Sequence, residues 1–330
     1  MRRRDVLALL GGAVATQAVQ VQPSRSQPKL PIVGYLGSET PELFATRLAA
    51  FRQGLAAAGF VEGRSARIEY RWAHGDNKRL PALAAELVRS NVSVISTPGS
   101  VASALAAKTA TTSVPVVFET GAEPVAAGLV ASLNRPGGNV TGITSLNAQV
   151  GPKRLESLHE LLPTATTFAL LVNPTNPVNA EATTRSLQEA AHALKLQLHV
   201  LNASKEEEFE GVFARVRELR AAGLVIANET YYAMRSEPLG ALAMRRRVPA
   251  AHQSREFAAA GGLLSYGGDV MESHRQAGFY TGRVLKGENP ADLPVQQVTK
   301  VHMVVNLRAA KALDITVPLA ISGRADEIIE

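Results

Sequence analysis

The chain has 330 residues, of which 46% are hydrophobic and 19% are charged, and its formal net charge is +6. This length allows one large hydrophobic core or two medium ones, and the absence of cysteine excludes disulfide bonds, thiolate nucleophiles and cysteine-ligated metals. Basic residues are scattered, with one cluster at residues 245–247, which argues against nucleic-acid binding.

Residues 1–22 have the pattern of a bacterial export signal. Three arginines at positions 2–4 precede a short apolar run, and small residues such as Ala15 and Ala18 follow. The run is too short to span a bilayer as a mature helix, and Arg3 and Arg4 also fit the twin-arginine pattern of proteins exported in folded form. We predict cleavage of this signal, a linker over residues 23–30 and a mature protein in the periplasm.

Apolar runs and amphipathic segments alternate along the first half of the mature chain. The apolar runs predict strands over residues 32–36, 68–70, 92–96, 114–119 and 140–144. The amphipathic segments predict helices from Thr40 and Pro41 to Gly59, over residues 80–89 and 100–109, and a short one over residues 125–133.

The same alternation restarts in the second half. Strands are predicted over residues 168–172, 197–201, 224–227, 249–252 and 263–266, and helices over residues 152–162, 177–194, 207–220, 236–247 and 271–286. Two successive runs of about five strands predict an α/β protein of two doubly wound lobes, each with a parallel sheet covered by helices. No low-complexity linker separates the lobes, which is typical of lobes that close like a hinge around a cleft.

Small and polar residues follow the strands in both predicted lobes. In open α/β sheets, ligands bind beyond the carboxyl ends of the strands, close to helix N-termini. We therefore predict a ligand site made of Ser38, Thr97, Gly99, Ser100, Thr120, Glu123, Asn173, Asn176, Glu229, Tyr231, Gln253, Tyr266 and Asp269. Taken singly, each of the polar residues is better explained as a helix cap or a turn residue.

The two halves of this predicted site differ in charge. Residues 97–100 place backbone N–H groups and the Ser100 hydroxyl at the start of a helix, which favours an anion. Glu229 and Asp269 suit an ammonium group, with Tyr231 and Tyr266 as possible aromatic walls. The pattern indicates an amino acid or a similar zwitterion, with an aromatic side chain favoured; the alternative is that Ser100 only caps its helix.

Known catalytic motifs are missing from the sequence. It contains no G-x-S-x-G elbow, no P-loop, no H-E-x-x-H, and no G-x-G-x-x-G after the first strand. Its seven histidines never pair at i, i+4, and only His252 stands at a predicted strand end. We predict no catalytic residue, no metal and no cofactor, although Glu123, Glu229 and Asp269 leave an acid/base pair open.

Several longer strings resemble one known family. They cover residues 61–63, 68–73, 79–88, 124–133, 135–142, 255–257, 260–267 and 293–330. Together they resemble the ABC-transporter substrate-binding protein family that includes the tryptophan/tyrosine-type binding proteins, which have the type I periplasmic binding protein fold. The resemblance implies ligand contacts in the loops after residues 36, 96, 119, 172, 227 and 266. The chain departs from it at Glu123, where many members have Asp, and at Gly268, where Pro is common.

The resemblance also implies two lobes that are joined by three crossovers and enclose a small ligand. The strand and helix pattern predicts a first lobe of residues 31–146 plus 270–298 and a second of residues 147–269 plus 299–330. The implied partners are an ABC permease and its ATPase, with membrane contact only through the permease, and the protein is predicted to be a monomer. The alternatives are a periplasmic receptor for a sensor kinase and an enzyme on the same scaffold.

Overall fold

The computed structural model describes residues 30–330, so the predicted export signal and nearly all of the predicted linker lie outside the described residues. Strands and helices alternate through most of this range, as the sequence predicts. The strands are β1 (Ile32–Gly37), β2 (Arg67–Trp72), β3 (Val94–Pro98), β4 (Val116–Thr120), β5 (Val140–Thr144), β6 (Thr167–Val172), β7 (Gln197–Asn202), β8 (Leu224–Ile226), β9 (Ala250–His252), β10 (Leu264–Gly268), β11 (Gln296–Gln297), β12 (Val301–Asn306) and β13 (Glu327–Ile329).

The helices stand between the strands and after them. They are α1 (Ala45–Ala57), α2 (Leu80–Arg89), α3 (Val101–Ala110), α4 (Gly151–Leu161), α5 (Pro177–Ala193), α6 (Phe209–Glu218), α7 (Thr230–Ala233), α8 (Ser236–Arg246), α9 (Arg255–Ala259), α10 (Val270–Leu285), α11 (Leu307–Ala312) and α12 (Leu319–Ser322).

The strands form two sheets, and each sheet with its helices makes one lobe. The first lobe has the strand order β11-β5-β4-β3-β1-β2, and the second has the order β13-β12-β10-β9-β8-β6-β7. The chain therefore passes from one sheet to the other three times, after β5, after β10 and after β11. This arrangement confirms the predicted α/β fold of two doubly wound lobes.

Apolar side chains on both faces of the first sheet bury it between two layers of helices. On one face, Leu36, Ile95 and Phe118 pack in a cluster with residues of α2 and α3. On the other face, Val33 and Tyr35 pack with α1 and α10. Strands that are buried on both faces carry continuous apolar runs. The strands of this lobe could therefore be predicted from the sequence. The second lobe buries a single larger cluster around β6, β8 and β9.

Helices α1 and α10 approach each other unusually closely. A Cβ atom added at Gly54 would lie 1.7 Å from the carbonyl oxygen of Arg275, and one added at Gly278 would lie 1.9 Å from the carbonyl oxygen of Phe51. Glycine is required at both positions because the backbone of the facing helix fills the space. Helix α10 begins directly after β10, a strand of the second sheet. It packs on α1 nevertheless, and so it completes the first lobe.

Two helix predictions in the first lobe are wrong. The predicted helix over residues 125–133 is a series of turns, because after one turn Gly128 adopts a φ of +71° that helices do not allow. The first helix begins at Ala45 rather than at Thr40, although the Thr40 hydroxyl does accept a hydrogen bond from Leu43 N at 3.3 Å. Residues 41–44 form turns that precede the helix.

The sheet of the second lobe is not entirely parallel. β12 pairs antiparallel with β10, and β13 pairs parallel with β12, so these two edge strands run opposite to the others. The sequence predicted no strand after residue 266, and it therefore missed this antiparallel edge. Antiparallel edge strands on largely parallel sheets are common in α/β proteins.

Candidate functional site

Loops at the carboxyl ends of strands from the two lobes meet across a cleft. Thr230 Oγ1 donates a hydrogen bond to the carbonyl oxygen of Gly99, and Asn77 Nδ2 donates to Thr175 Oγ1 at 3.5 Å. A buried ion pair also joins the lobes, with Arg235 Nη1 3.1 Å from Glu39 Oε2. The lobes are therefore in direct contact along this edge.

A cavity of about 1000 Å³ lies between the lobes and is called the large cavity here. Small-molecule sites usually have volumes of about 300–1000 Å³, so it can hold a small solute with room to spare. The first lobe contributes the start of α1, and the second lobe contributes the segments around α8 and α9 and the end of β10. Its wall includes residues 42, 43, 45–47, 233–238, 253–256 and 267–271.

Arg47 contributes a buried positive charge to the wall of the large cavity. It is only 7% exposed, and among residues 30–330 it makes no hydrogen bond and no ion pair. Its nearest described partner is the ring of Phe44, whose centroid is 5.5 Å from the Arg47 Cζ atom. Burial lowers the pKa of Arg47, but a guanidinium group remains protonated in proteins. Arg47 is not among the site residues predicted from the sequence.

Two of the predicted site residues, Gln253 and Asp269, line the large cavity. The Gln253 Oε1 atom is buried and has no hydrogen-bond partner among the described residues. Asp269 Oδ1 accepts a hydrogen bond from Glu272 N at 2.9 Å, so this carboxylate also caps α10. Both residues therefore present polar atoms at the place where the lobes meet.

Four other predicted residues come together in a second, much smaller space of about 20 Å³, called the small pocket here. Gly99 and Thr120 line it from the first lobe, and Asn176 and Glu229 line it from the second. This volume is about that of one water molecule. These four predicted residues therefore lie at the contact between the lobes, where the space in this arrangement is too small for an amino acid.

Ser100 serves as a helix cap in this structure. Its hydroxyl accepts a hydrogen bond from Ser103 N at 3.4 Å at the start of α3. This is the alternative considered for it above. Ser38 and Thr97 lie nearby in the first lobe, and each has a buried hydroxyl without a hydrogen-bond partner among the described residues. Neither residue lines the large cavity or the small pocket.

Glu123 and Asn173 also act within their own loops. The Glu123 carboxylate accepts hydrogen bonds from Val125 N and Ala126 N, and so it closes the turn after β4. Asn173 Oδ1 accepts hydrogen bonds from both the backbone N–H and the hydroxyl of Thr175. Neither residue lines the two cavities described above.

The predicted aromatic walls lie elsewhere. The Tyr266 side chain packs against the core of the second lobe, while Ser265 and Gly267 line the large cavity, because side chains alternate between the two faces of a strand. Tyr231 lies beneath Arg235, whose Cζ atom is 3.6 Å from the centre of its ring. Tyr266 and Tyr231 thus line neither of the two cavities.

Comparison with known proteins places this architecture in a family. A family model described as "ABC transporter substrate binding protein" matches residues 39–329. The chain belongs to this family. It is 27% identical over 268 residues to a tyrosine-binding protein of Clostridioides difficile, an alignment that covers 80% of this chain and 75% of the relative.

Solved structures agree with this family assignment. A conserved domain protein from Vibrio cholerae superposes with a TM-score of 0.82 at 27% identity, covering 91% of this chain and 100% of the other. The ABC domain from Streptococcus pneumonia in complex with L-Trp gives a TM-score of 0.81 at 21% identity, with the same coverage. The type I periplasmic binding protein fold predicted from the sequence is thereby confirmed.

A buried carboxylate in this substrate-binding protein lies beside the start of α10. Glu119, at the end of β4, accepts a hydrogen bond from Ser273 Oγ at 2.9 Å, and its Oε2 atom is 3.5 Å from His274 Nδ1. Burial raises the pKa of Glu119 to about 7 and lowers that of His274 to about 3. The histidine is therefore neutral at physiological pH, and the pair is not a standing salt bridge.

Glu229 is the second buried carboxylate of the cleft. Its Oε2 atom accepts hydrogen bonds from Asn176 Nδ2 at 2.9 Å and from Asn179 Nδ2 at 3.0 Å. Burial nevertheless raises the pKa of Glu229 to about 7, because these neutral amides compensate only partly for the lost hydration.

This raised pKa predicts a pH dependence of stability. The folded protein keeps a proton on Glu229 that the unfolded chain releases near its ordinary pKa of 4.5. Stability should therefore be highest below that value and fall as the pH rises to 7, by about 3 kcal/mol from this residue alone. Glu229→Gln cannot ionise, so it should make this slope shallower when unfolding by urea is measured at several pH values, and the part that comes from Glu119 should remain. A variant with the slope of wild type would contradict the assignment.

Neither a metal site nor a membrane span emerges from residues 30–330. No group of three or more His, Asp or Glu side chains in that range could hold a metal ion. The helices of the same range are all too short or too polar to cross a membrane.

Proposed function

We propose that this protein is the exported solute receptor of an ABC importer, and that it binds an amino acid or a related carboxylate between its lobes. The observation that carries this proposal is the large cavity, to which both lobes contribute charged and polar groups. The family supports delivery to a permease and its ATPase. The relatives named for tyrosine and solved with L-Trp favour an amino acid, aromatic ones included.

The proposed lobes are residues 31–146 plus 270–298 and residues 147–269 plus 299–330, which move about the three crossings. The sheet membership of β5, β10, β11 and β12 supports these boundaries. A two-lobed receptor closes over its ligand because only the closed arrangement lets both lobes contact it.

This mechanism predicts a compaction in solution. Protein that has been unfolded and refolded to remove co-purified solutes is mixed with each of the twenty L-amino acids, and thermal stabilisation identifies those that bind. Small-angle scattering should then give a smaller radius of gyration with the best binder than without it. An unchanged radius at saturation would argue against hinge closure, and stabilisation by none of the amino acids would argue against this ligand class.

Export is the second part of the proposal, and it rests on the sequence of residues 1–22. Cell fractionation should find a shortened chain in the periplasm. A full-length chain that stays in the cytoplasm would refute it.

A further inference from the structure

Arg47 is a buried cation for which residues 30–330 provide no counter-ion. Burying a charge is costly unless it is paired, and a cation in the first turn of a helix also opposes the helix dipole. Arg47 stands in that first turn, since α1 begins at Ala45. The Phe44 ring, 5.5 Å from the Arg47 Cζ atom, compensates this cost only in part, and an anion from outside the chain would supply the missing ion pair.

The carboxylates nearest to Arg47 have other partners or lie in solvent. Glu39 pairs with Arg235 at 3.1 Å, and Glu119 accepts a hydrogen bond from Ser273. Glu256 is exposed on α9. All three influence the pKa of Arg47 through their charge, but none lies within ion-pair distance of it.

Seven carboxylate residues and three arginines line the large cavity, and the end of it at Arg47 is where an anion finds a positive charge. Arg47 lines the large cavity together with Ala45 and Thr46, so the N-terminal, positive end of α1 faces the same space. Asp269, the N-cap residue of α10, lines the same cavity. Leu43, Met234 and Val270 add apolar surface to it.

We propose that Arg47 binds the carboxylate of the ligand in the large cavity, with the cationic group of the ligand directed towards Asp269. The planar guanidinium group can hold a carboxylate through two parallel hydrogen bonds. This inference rests on the proposed function and adds to it the residue that selects for an acid. The proposed anion site is therefore at Arg47 and not at Ser100. The Ser100 hydroxyl caps α3, and Thr230 covers the neighbouring Gly99.

Selectivity between an acid and the matching amine tests the proposal. Calorimetry measures the affinity of wild type, Arg47→Lys and Arg47→Met for the amino acid that stabilises wild type most, and for its decarboxylated amine. Wild type should prefer the acid by about a hundredfold or more, the value of a bidentate charge-assisted pair. Arg47→Met should lose that preference. Arg47→Lys keeps the charge but cannot form two parallel hydrogen bonds, so it should retain about a tenth of the affinity for the acid.

Arg89→Met is the matched control, because Arg89 is an exposed arginine in the last turn of α2. It should bind both compounds as wild type does. Circular dichroism and unfolding curves establish that the Arg47 variants are folded.

Two results would overturn the inference while leaving the proposed function intact. One is a folded Arg47→Met that still prefers the acid as strongly as wild type. The other is an Arg47→Met that loses affinity equally for acid and amine, as a purely structural role predicts. If no amino acid stabilises wild type, the proposed ligand class fails, and the inference fails with it.

Discussion

Gly54→Ala is expected to destabilise the protein by about 3 kcal/mol, at the upper end of what overpacking costs. The added methyl group would lie 1.7 Å from the carbonyl oxygen of Arg275 and 2.9 Å from the backbone nitrogen of Phe279. These are backbone atoms of α10, so no side chain can rotate away and the two helices must separate. Urea unfolding should show a lower midpoint.

Gly211→Ala is the matched control for this substitution. Gly211 lies in α6, is exposed, and has no atom within 4 Å of an added Cβ. Alanine should stabilise the protein there by about 0.5–1 kcal/mol, because it favours the helical backbone. A Gly54→Ala protein as stable as wild type would show that α1 and α10 do not pack as closely as described.

Glu39→Gln is expected to weaken ligand binding about ten- to a hundredfold without unfolding either lobe. Glu39 is 2% exposed and belongs to the first lobe, and its partner Arg235 belongs to the second. When the lobes are in contact, removing the carboxylate leaves Arg235 with the exposed Glu206, 3.6 Å away, as its remaining ion-pair partner among the described residues. When the lobes are apart, Arg235 returns to water, so the buried pair matters only for the closed arrangement. The substitution therefore penalises only the closed arrangement, and ligand affinity falls by the same factor.

Calorimetry with the best-binding amino acid and scattering of the ligand-free protein measure this effect. The ligand-free variant should have a larger radius of gyration than wild type if the pair holds the lobes together. Glu218→Gln provides the comparison, since Glu218 pairs with Arg215 at 2.8 Å on the exposed surface of α6, where ion pairs contribute little. Equal affinities for Glu39→Gln and wild type would show that this ion pair does not stabilise the closed arrangement.

Much of the fold could be predicted from the sequence because its strands are buried on both faces. The apolar run of β1 and the start of α8 at Ser236 are examples where the pattern and the structure agree. The helix predicted over residues 125–133 failed because helical periodicity does not register the backbone conformation of Gly128. Strand β12 was missed because its place in the sheet depends on long-range pairing with β10, which the local pattern does not show.

The site was predicted less well than the fold, for a physical reason. Strand ends identified the loops, but whether a loop residue such as Ser100 binds a ligand or caps a helix depends on its three-dimensional neighbours. Arg47 lies on a helix, whereas strand ends indicate only the loops that follow them. A signal was present, because Arg47 follows Phe44 by three positions and so extends the apolar face of Phe44, Leu48, Phe51 and Leu55 with a charge.

The three passages of the chain between the sheets have a consequence for synthesis. When residue 150 has emerged from the ribosome, β1 to β5 exist, but α10, which covers Val33 and Tyr35, is more than a hundred residues away. Helix α1 can cover part of that apolar face early, but the first lobe cannot finish burying it until most of the chain has been made. Such long-range closure slows folding and leaves the nascent sheet open to chaperones. The lobe that is first in sequence is thus completed late, and the order of synthesis is not the order of folding.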